Sequence, residues 1–347
     1  MRAVAYETFG GPLTVETFPD PSPPNDGVVI AVRANGICRS DWHGWQGHDP
    51  DITSLPHIPG HELAGEVVAV GKDVQRWKVG NRVTVPFVLG CGRCQDCVKG
   101  DHQVCAHQYQ PGFTGWGSFA EYVALPYADV NLVRIPETLD YTSVASLGCR
   151  FATAFRAVVV QGKVKPGEWV VIHGCGGVGL SAIMIATAMG AQVIAVDIKA
   201  EALALAESLA ATHTINTHEV SDVVMVIRDL THGGAHVSLD ALGSAVTARQ
   251  SILGLRRRGR HVQVGLLVGD DADPPLPMGR VIGWELEIYG SHGLQAHAYP
   301  ELLRLIEHGT LDPSRLLTKR VSLDGVPGIL EGMAAFSSTG IQVMDHF

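Results

Sequence analysis

Between Trp169 and Asp197 the chain reads as a strand, a glycine turn, a helix and a second strand. Trp169 to His173 is a β-branched run, and Gly174-Cys175-Gly176-Gly177-Val178-Gly179 opens a helix-length apolar segment that reaches Met189. Gln192 to Asp197 is apolar again and ends in a carboxylate. Such an order demands a crossover unit in a parallel sheet covered on both faces. The glycines stand where a dinucleotide fingerprint needs them. Gly174 permits the tight turn, Gly176 lets backbone approach a pyrophosphate, and Gly179 lets the helix pack closely on the strand. Gly177 and Val178 start the helix, whose free N–H groups suit phosphate. Asp197 would accept the hydroxyls of an adenosine ribose and repel a 2′-phosphate, so NAD is expected rather than NADP. The competing reading is a tight turn that holds no ligand.

The same rhythm continues to about residue 290. An Ala/Leu-rich helix follows at Lys199 to Ala210, then strands at His236 to Asp240, His261 to Gly265 and Leu286 to Ser291. Residues 1 to 150 differ: short apolar runs (Gly27 to Val32, Gly65 to Val70, Arg82 to Val85) are separated by Gly, Pro, Asn and Asp turns. After Ser291 come a helical stretch (His297 to His308), a strand-like one (Leu316 to Val321) and a last helix before Ile341 to Met344. That tail is too short to be a domain, so it is expected to fold back onto the first part. An α/β protein of two domains follows, 1–150 with 292–347 and 151–291, as suits a chain of 347 residues.

Composition removes several functions. With 46% hydrophobic and 18% charged residues the chain is not disordered, and a net charge of −9 argues against a nucleic-acid partner. The uncharged stretch after His173 is interrupted by too many glycines for a membrane span. Met1 to Tyr6 lacks the apolar core of a signal peptide, and the seven cysteines then suggest a reducing, cytoplasmic setting.

Four of those cysteines form Cys91-x2-Cys94-x2-Cys97-x7-Cys105 in a polar loop. Four thiolates with no open position fit a structural zinc, whose binding would supply the folding free energy of a loop without a core. Iron–sulfur spacing fits less well, because the last interval is too long and no proline follows Cys105. Free or redox-active thiols are the bland alternative. Cys38, His61 and Cys149 are scattered, yet two cysteines and a histidine match a catalytic zinc that keeps a fourth position open. Taken singly, each is an ordinary core or loop residue.

With Gly60-His61-Glu62-x2-Gly65 and Gly71, these motifs resemble the medium-chain, zinc-dependent alcohol dehydrogenase family over essentially the whole chain. The resemblance implies a GroES-like, β-rich catalytic domain built from both chain ends, and a central Rossmann domain with a doubly wound parallel sheet. It implies two zinc ions per chain. Cys38, His61 and Cys149 would hold the catalytic ion, with Glu62 close behind it, where it could replace water as a transient ligand. Asp41 would fix the His61 tautomer from the far ring nitrogen. Ser40 would accept the proton of the bound alcohol, and His43 would carry it to the surface. Arg39 would pair with the cofactor pyrophosphate. Trp45, Phe87 and Trp116 fall where similar enzymes line the substrate pocket, although each is also an ordinary core residue type.

Two positions depart from the resemblance. Gly115-Trp116 stands where the short-chain-alcohol branch usually has His-Asp, and Arg150 follows Cys149 where several relatives carry a smaller residue. Cys149 itself, rather than an acidic residue, weighs against the polyol and secondary-alcohol branches. The expected reaction is hydride transfer between NAD(H) and a primary aliphatic or aromatic alcohol or aldehyde. The alternatives are a zinc-independent quinone or enoyl reductase of the same fold, and a non-enzymatic NAD-binding zinc protein. A homodimer or homotetramer is expected through the sheet edge near Leu286 to Ser291.

Overall fold

The strand Val28–Ile37 (β1) organises the first of two units into which the chain divides, Met1–Ala152 together with Gly293–Phe347. The second unit is Thr153–His292. The computed structural model describes residues 1–335 and 339–347. Along β1 every residue but Arg33 is buried, because neighbours cover both of its faces. Glu62–Val70 (β2) runs antiparallel beside it, and Tyr122–Leu125 and Ile341–His346 pair antiparallel with successive halves of its other edge. Ile341–His346 also takes Leu317–Ser322 as a parallel partner. Both ends of the chain thus feed one sheet, and its core mixes Tyr6, Ile30, Leu63 and Phe119 with Leu323, Leu330 and Met344.

The second unit is a six-stranded sheet, parallel throughout. Its strands are Trp169–His173 (β3), Gln192–Asp197 (β4), His213–Asn216 (β5), Ala235–Asp240 (β6), Leu255–Gln263 (β7) and Glu287–Gly290 (β8). Their spatial order is β5-β4-β3-β6-β7-β8, the doubly wound Rossmann order. The helix Gly177–Ala188 is almost entirely apolar and buried, as a crossover lying on such a sheet must be. Two findings differ from the sequence reading. The short strand β5 and the helices Val223–Leu230 and Ala245–Leu253 are absent from the sequence reading, although Val223 and Ile227 bury one face of the first helix at helical spacing. β7 begins at Leu255 rather than His261: Leu255 pairs with Ala235 of β6, and the exposed Arg256, Arg257 and Arg258 bulge out before pairing resumes at Arg260.

Candidate active site

Helix Arg39–Trp45 begins at Cys38, whose backbone is still extended. Asp41 in its first turn accepts the Cys38 amide at 2.9 Å, the Gly60 amide at 3.1 Å and His61 Nδ1 at 2.7 Å. One buried carboxylate therefore caps the helix and orients the histidine arriving at the start of β2. Gly60 makes that arrival possible: at φ +109° it adopts a left-handed backbone, and a Cβ would stand 2.5 Å from the Phe119 amide. Cys149 comes from a wide π-helical turn, Leu147–Phe151, a distortion common at functional sites. The buried Tyr299 hydroxyl donates to the Leu147 carbonyl at 3.0 Å and holds that turn in place.

These elements bring Cys38, His61, Glu62 and Cys149 together, with one ligand atom from each lying within 4.8 Å of the others. His61 Nε2 is buried and has no hydrogen-bond partner among the described residues. A hydrogen bond from Cys149 holds the Cys38 thiol well below its ordinary range, and the same bond, with burial, lifts Cys149 well above it. The two thiols thus pull each other's proton affinity in opposite directions. Burial opposes a charge on His61, but Asp41 and Cys38 outweigh it and raise its proton affinity well above that of a free imidazole. Two sulfur donors and one nitrogen donor converging on one point fit zinc.

Glu62 is fully committed to Arg150. Its Oε1 accepts the Arg150 amide at 2.8 Å and Nε at 3.0 Å, while Oε2 accepts Nε at 3.0 Å and Nη2. Burial pushes the Glu62 carboxyl up, and Arg150 offsets that only in part. A guanidinium keeps its proton in proteins, so a buried positive charge faces both Glu62 oxygens.

The sulfurs of Cys91, Cys94, Cys97 and Cys105 also lie within 4.8 Å of one another. Cys94 and Cys105 are 3.7 Å apart, close to the edge of about 3.8 Å for a tetrahedron with zinc–sulfur arms of about 2.3 Å. Backbone amides of Cys91 and His107 donate to Cys105, and that of Cys94 to Cys91, as thiolates would require. All seven cysteines are free thiols.

In the second unit the glycine turn lies at the carboxyl end of β3. Gly174 has φ +90°, a Cβ on Gly179 would stand 1.8 Å from the Gly174 carbonyl oxygen, and one on Gly176 would meet nothing within 4 Å. The first two glycines named are structural requirements; Gly176 faces open space. Gly177 and Val178 form the first helical turn. Asp197 accepts the amides of Cys175 at 2.6 Å, Ile198 at 2.7 Å and Lys199 at 3.0 Å, so the carboxylate stays beside the turn.

The other residues singled out from sequence are placed as follows. Ser40 Oγ is 3.8 Å from Cys38 Sγ. His43 Nδ1 lies 3.0 Å from Nδ1 of exposed His48, and burial, with Arg39 and His48, pushes its pKa down to about 4. Arg39 stacks on Trp42 and donates to the Met333 carbonyl at 2.7 Å. Phe87 stands 6.2 Å from the His61 ring. Trp45 packs in the core with its indole N–H on the Gly11 carbonyl, and Trp116 is partly exposed against Phe18.

Residues 24–137 match the alcohol dehydrogenase GroES-like domain and residues 177–308 the zinc-binding dehydrogenase domain. An alcohol dehydrogenase of Geobacillus stearothermophilus is 37% identical over 279 residues, 80% of each chain. The chain belongs to the medium-chain, zinc-type alcohol dehydrogenase family. This dehydrogenase superposes on alcohol dehydrogenase TADH from Thermus sp. ATN1 with a TM-score of 0.90 at 30% identity, and on an NAD-dependent alcohol dehydrogenase with 0.89 at 30%; each match covers 100% of both chains. It is an alcohol dehydrogenase-type oxidoreductase, and none of its described helices is long and apolar enough to cross a membrane.

Sequence reasoning missed three residues of the dehydrogenase's site. Phe113 lies 5.2 Å from the His61 ring, closer than Phe87. Tyr299 and the ion-pair role of Arg150 depend on contacts across nearly half and about a quarter of the chain, which no local pattern announces.

Proposed function

We propose that this dehydrogenase transfers hydride between NAD(H) and a primary aliphatic or aromatic alcohol or its aldehyde. Cys38, His61 and Cys149 would hold a catalytic zinc, and Cys91, Cys94, Cys97 and Cys105 a structural one. The observation that carries this reading is the buried, unpartnered His61 Nε2 in a cluster where ligand atoms of Cys38, His61 and Cys149 lie within 4.8 Å of one another. When bound, the metal makes a coordinated alcohol more acidic and the nicotinamide takes up the hydride.

The chain's own groups do the rest. Asp41 keeps a proton on His61 Nδ1 and leaves Nε2 free as a donor. Ser40 takes the proton of the alcohol, and His43 carries it toward His48 and solvent. Glu62, held by Arg150, supports the site as a fixed charge. Gly174, Gly176, Gly177, Val178 and Gly179 cradle the cofactor's pyrophosphate, with Arg39 as a fork for the same phosphates, and Asp197 receives the ribose hydroxyls. Phe87, Phe113, Trp45 and Trp116 shape the alcohol's environment. The single-partnered edge strand β8 offers pairing to a second copy, giving a homo-oligomer in a reducing, cytoplasmic setting.

Elemental analysis tests the metal half of the reading. Two zinc ions per chain are expected, falling to one in Cys149→Ala with NADH binding intact. One zinc in the unaltered protein would favour a reductase of this fold that works without a catalytic metal.

A further inference from the structure

The arginine run that opens β7 has no part in the reaction just described. Arg256, Arg257, Arg258 and Arg260 join Lys163 and Lys165, from the loop before β3, around one open cavity of about 390 Å³. The cavity lies at the amino ends of the parallel strands. The glycine turn follows the carboxyl end of β3, at the opposite edge of the same sheet. A ligand here would therefore be separate from the cofactor.

The local charge is far from that of the chain. Six cationic side chains line the cavity against two carboxylates, Glu168 and Glu287, in a chain of net charge −9. Glu168 pairs with Arg260, and Glu287 takes the Tyr289 hydroxyl. Arg258 pairs with Glu285 at 2.7 Å. Among the described residues no carboxylate forms an ion pair with Lys163, Lys165, Arg256 or Arg257.

A second observation points to a missing acceptor. The Trp169 amide donates to His236 Nδ1 at 3.0 Å, so the neutral ring carries its proton on Nε2. Arg256 Nη1, which can only donate, faces that Nε2 at 2.7 Å. Burial and the cationic neighbours Arg256 and Arg260, against Glu168, keep the imidazole neutral. Two donors thus converge with no acceptor between them, an arrangement that oxygens of an anion at the cavity mouth would relieve. Arg258 adds to the picture: it holds φ +62°, where glycine would sit without strain, and still presents a guanidinium.

We propose that this cavity binds a compact phosphate-bearing anion of two or more charges, such as pyrophosphate or the phosphate tail of a nucleotide. Guanidinium forks match phosphate oxygens in pairs, and lysines add point charges. The site is independent of the glycine turn.

Titration calorimetry of the full chain with pyrophosphate, with ADP and with sulfate, each with and without saturating NADH, tests this. Pyrophosphate binding should persist under NADH, exceed sulfate binding clearly, and weaken with added salt. In Lys165→Gln/Arg256→Gln, both exposed positions, it should weaken at least tenfold while NADH affinity stays unchanged. ADP binding tighter than pyrophosphate would identify a nucleotide as the source, and equal binding would identify the phosphates alone; both support the site. Binding displaced by NADH and indifferent to the double variant would place the anion at the glycine turn and overturn the proposal. Equal binding of sulfate, an adventitious ion only, or no binding at millimolar pyrophosphate, would overturn it as well.

Discussion

Glu62 and Arg150 form a buried ion pair inside the cluster that gathers Cys38, His61 and Cys149, with both carboxylate oxygens used. Removing one partner strands the other as an uncompensated buried charge, whereas replacing both removes the problem. Arg150→Met should therefore cost about 3–5 kcal/mol in urea unfolding, and Glu62→Gln/Arg150→Met should recover most of it. A single variant within about 1 kcal/mol of the parent would show that the pair is not what holds this region.

Gly36 on β1 leaves the space that the ion pair occupies. A Cβ there would stand 2.1 Å from Glu62 Oε2 and 2.9 Å from Arg150 Nη2. Gly36→Ala should destabilise the protein by about 1–3 kcal/mol and lower its retention of zinc on dialysis. Unchanged melting and unchanged zinc content would mean that the pair shifts without cost.

Two buried histidines of the second unit set a response to acid. Burial pushes His173 and His261 down to about 4, against an ordinary value of 6.5. Between those values the unfolded chain binds protons that the folded one does not, so stability is complete above about pH 6.5 and falls as pH drops toward 4. Each histidine should cost up to about 3 kcal/mol across that window. Urea midpoints measured from pH 8 to 4.5 should fall less steeply in His261→Gln. An identical slope would remove His261 from the account.

Asp197 has two jobs, since it ties down the glycine turn through the Cys175 amide as well as facing the proposed ribose. Asp197→Gly should raise KM for NAD by roughly ten- to a hundredfold, the loss of one or two charge-assisted hydrogen bonds. The preference for NAD over NADP should shrink with it. A preference that survives intact would separate Asp197 from the ribose.

What could be read from sequence was local. The cysteine loop and the glycine turn each lie within a short span, and the four sulfurs gather and Gly174 takes its left-handed turn as their spacing requires. The strands flanking Gly174 were placed to the residue for the same reason. Contacts that depend on the closed fold were out of reach. Nothing near Arg150 says that it meets Glu62, and nothing near Tyr299 says that it supports the turn carrying Cys149. β7 was read too short because the exposed arginines bulge out between Leu255 and Arg260, and only the pairing of both flanks with β6 shows that they belong to one strand. Trp45 shows the same limit: no local pattern says that its ring packs against the core with its N–H on the Gly11 carbonyl.

The central claim is tested most directly by following NADH absorbance with NAD and a panel of ethanol, butanol, hexanol, benzyl alcohol, cinnamyl alcohol, isopropanol and sorbitol, with NADP in parallel. The account predicts turnover of primary or aromatic alcohols with NAD, lost on chelation and restored by zinc. No turnover of any alcohol by zinc-replete protein that still binds NADH would contradict it.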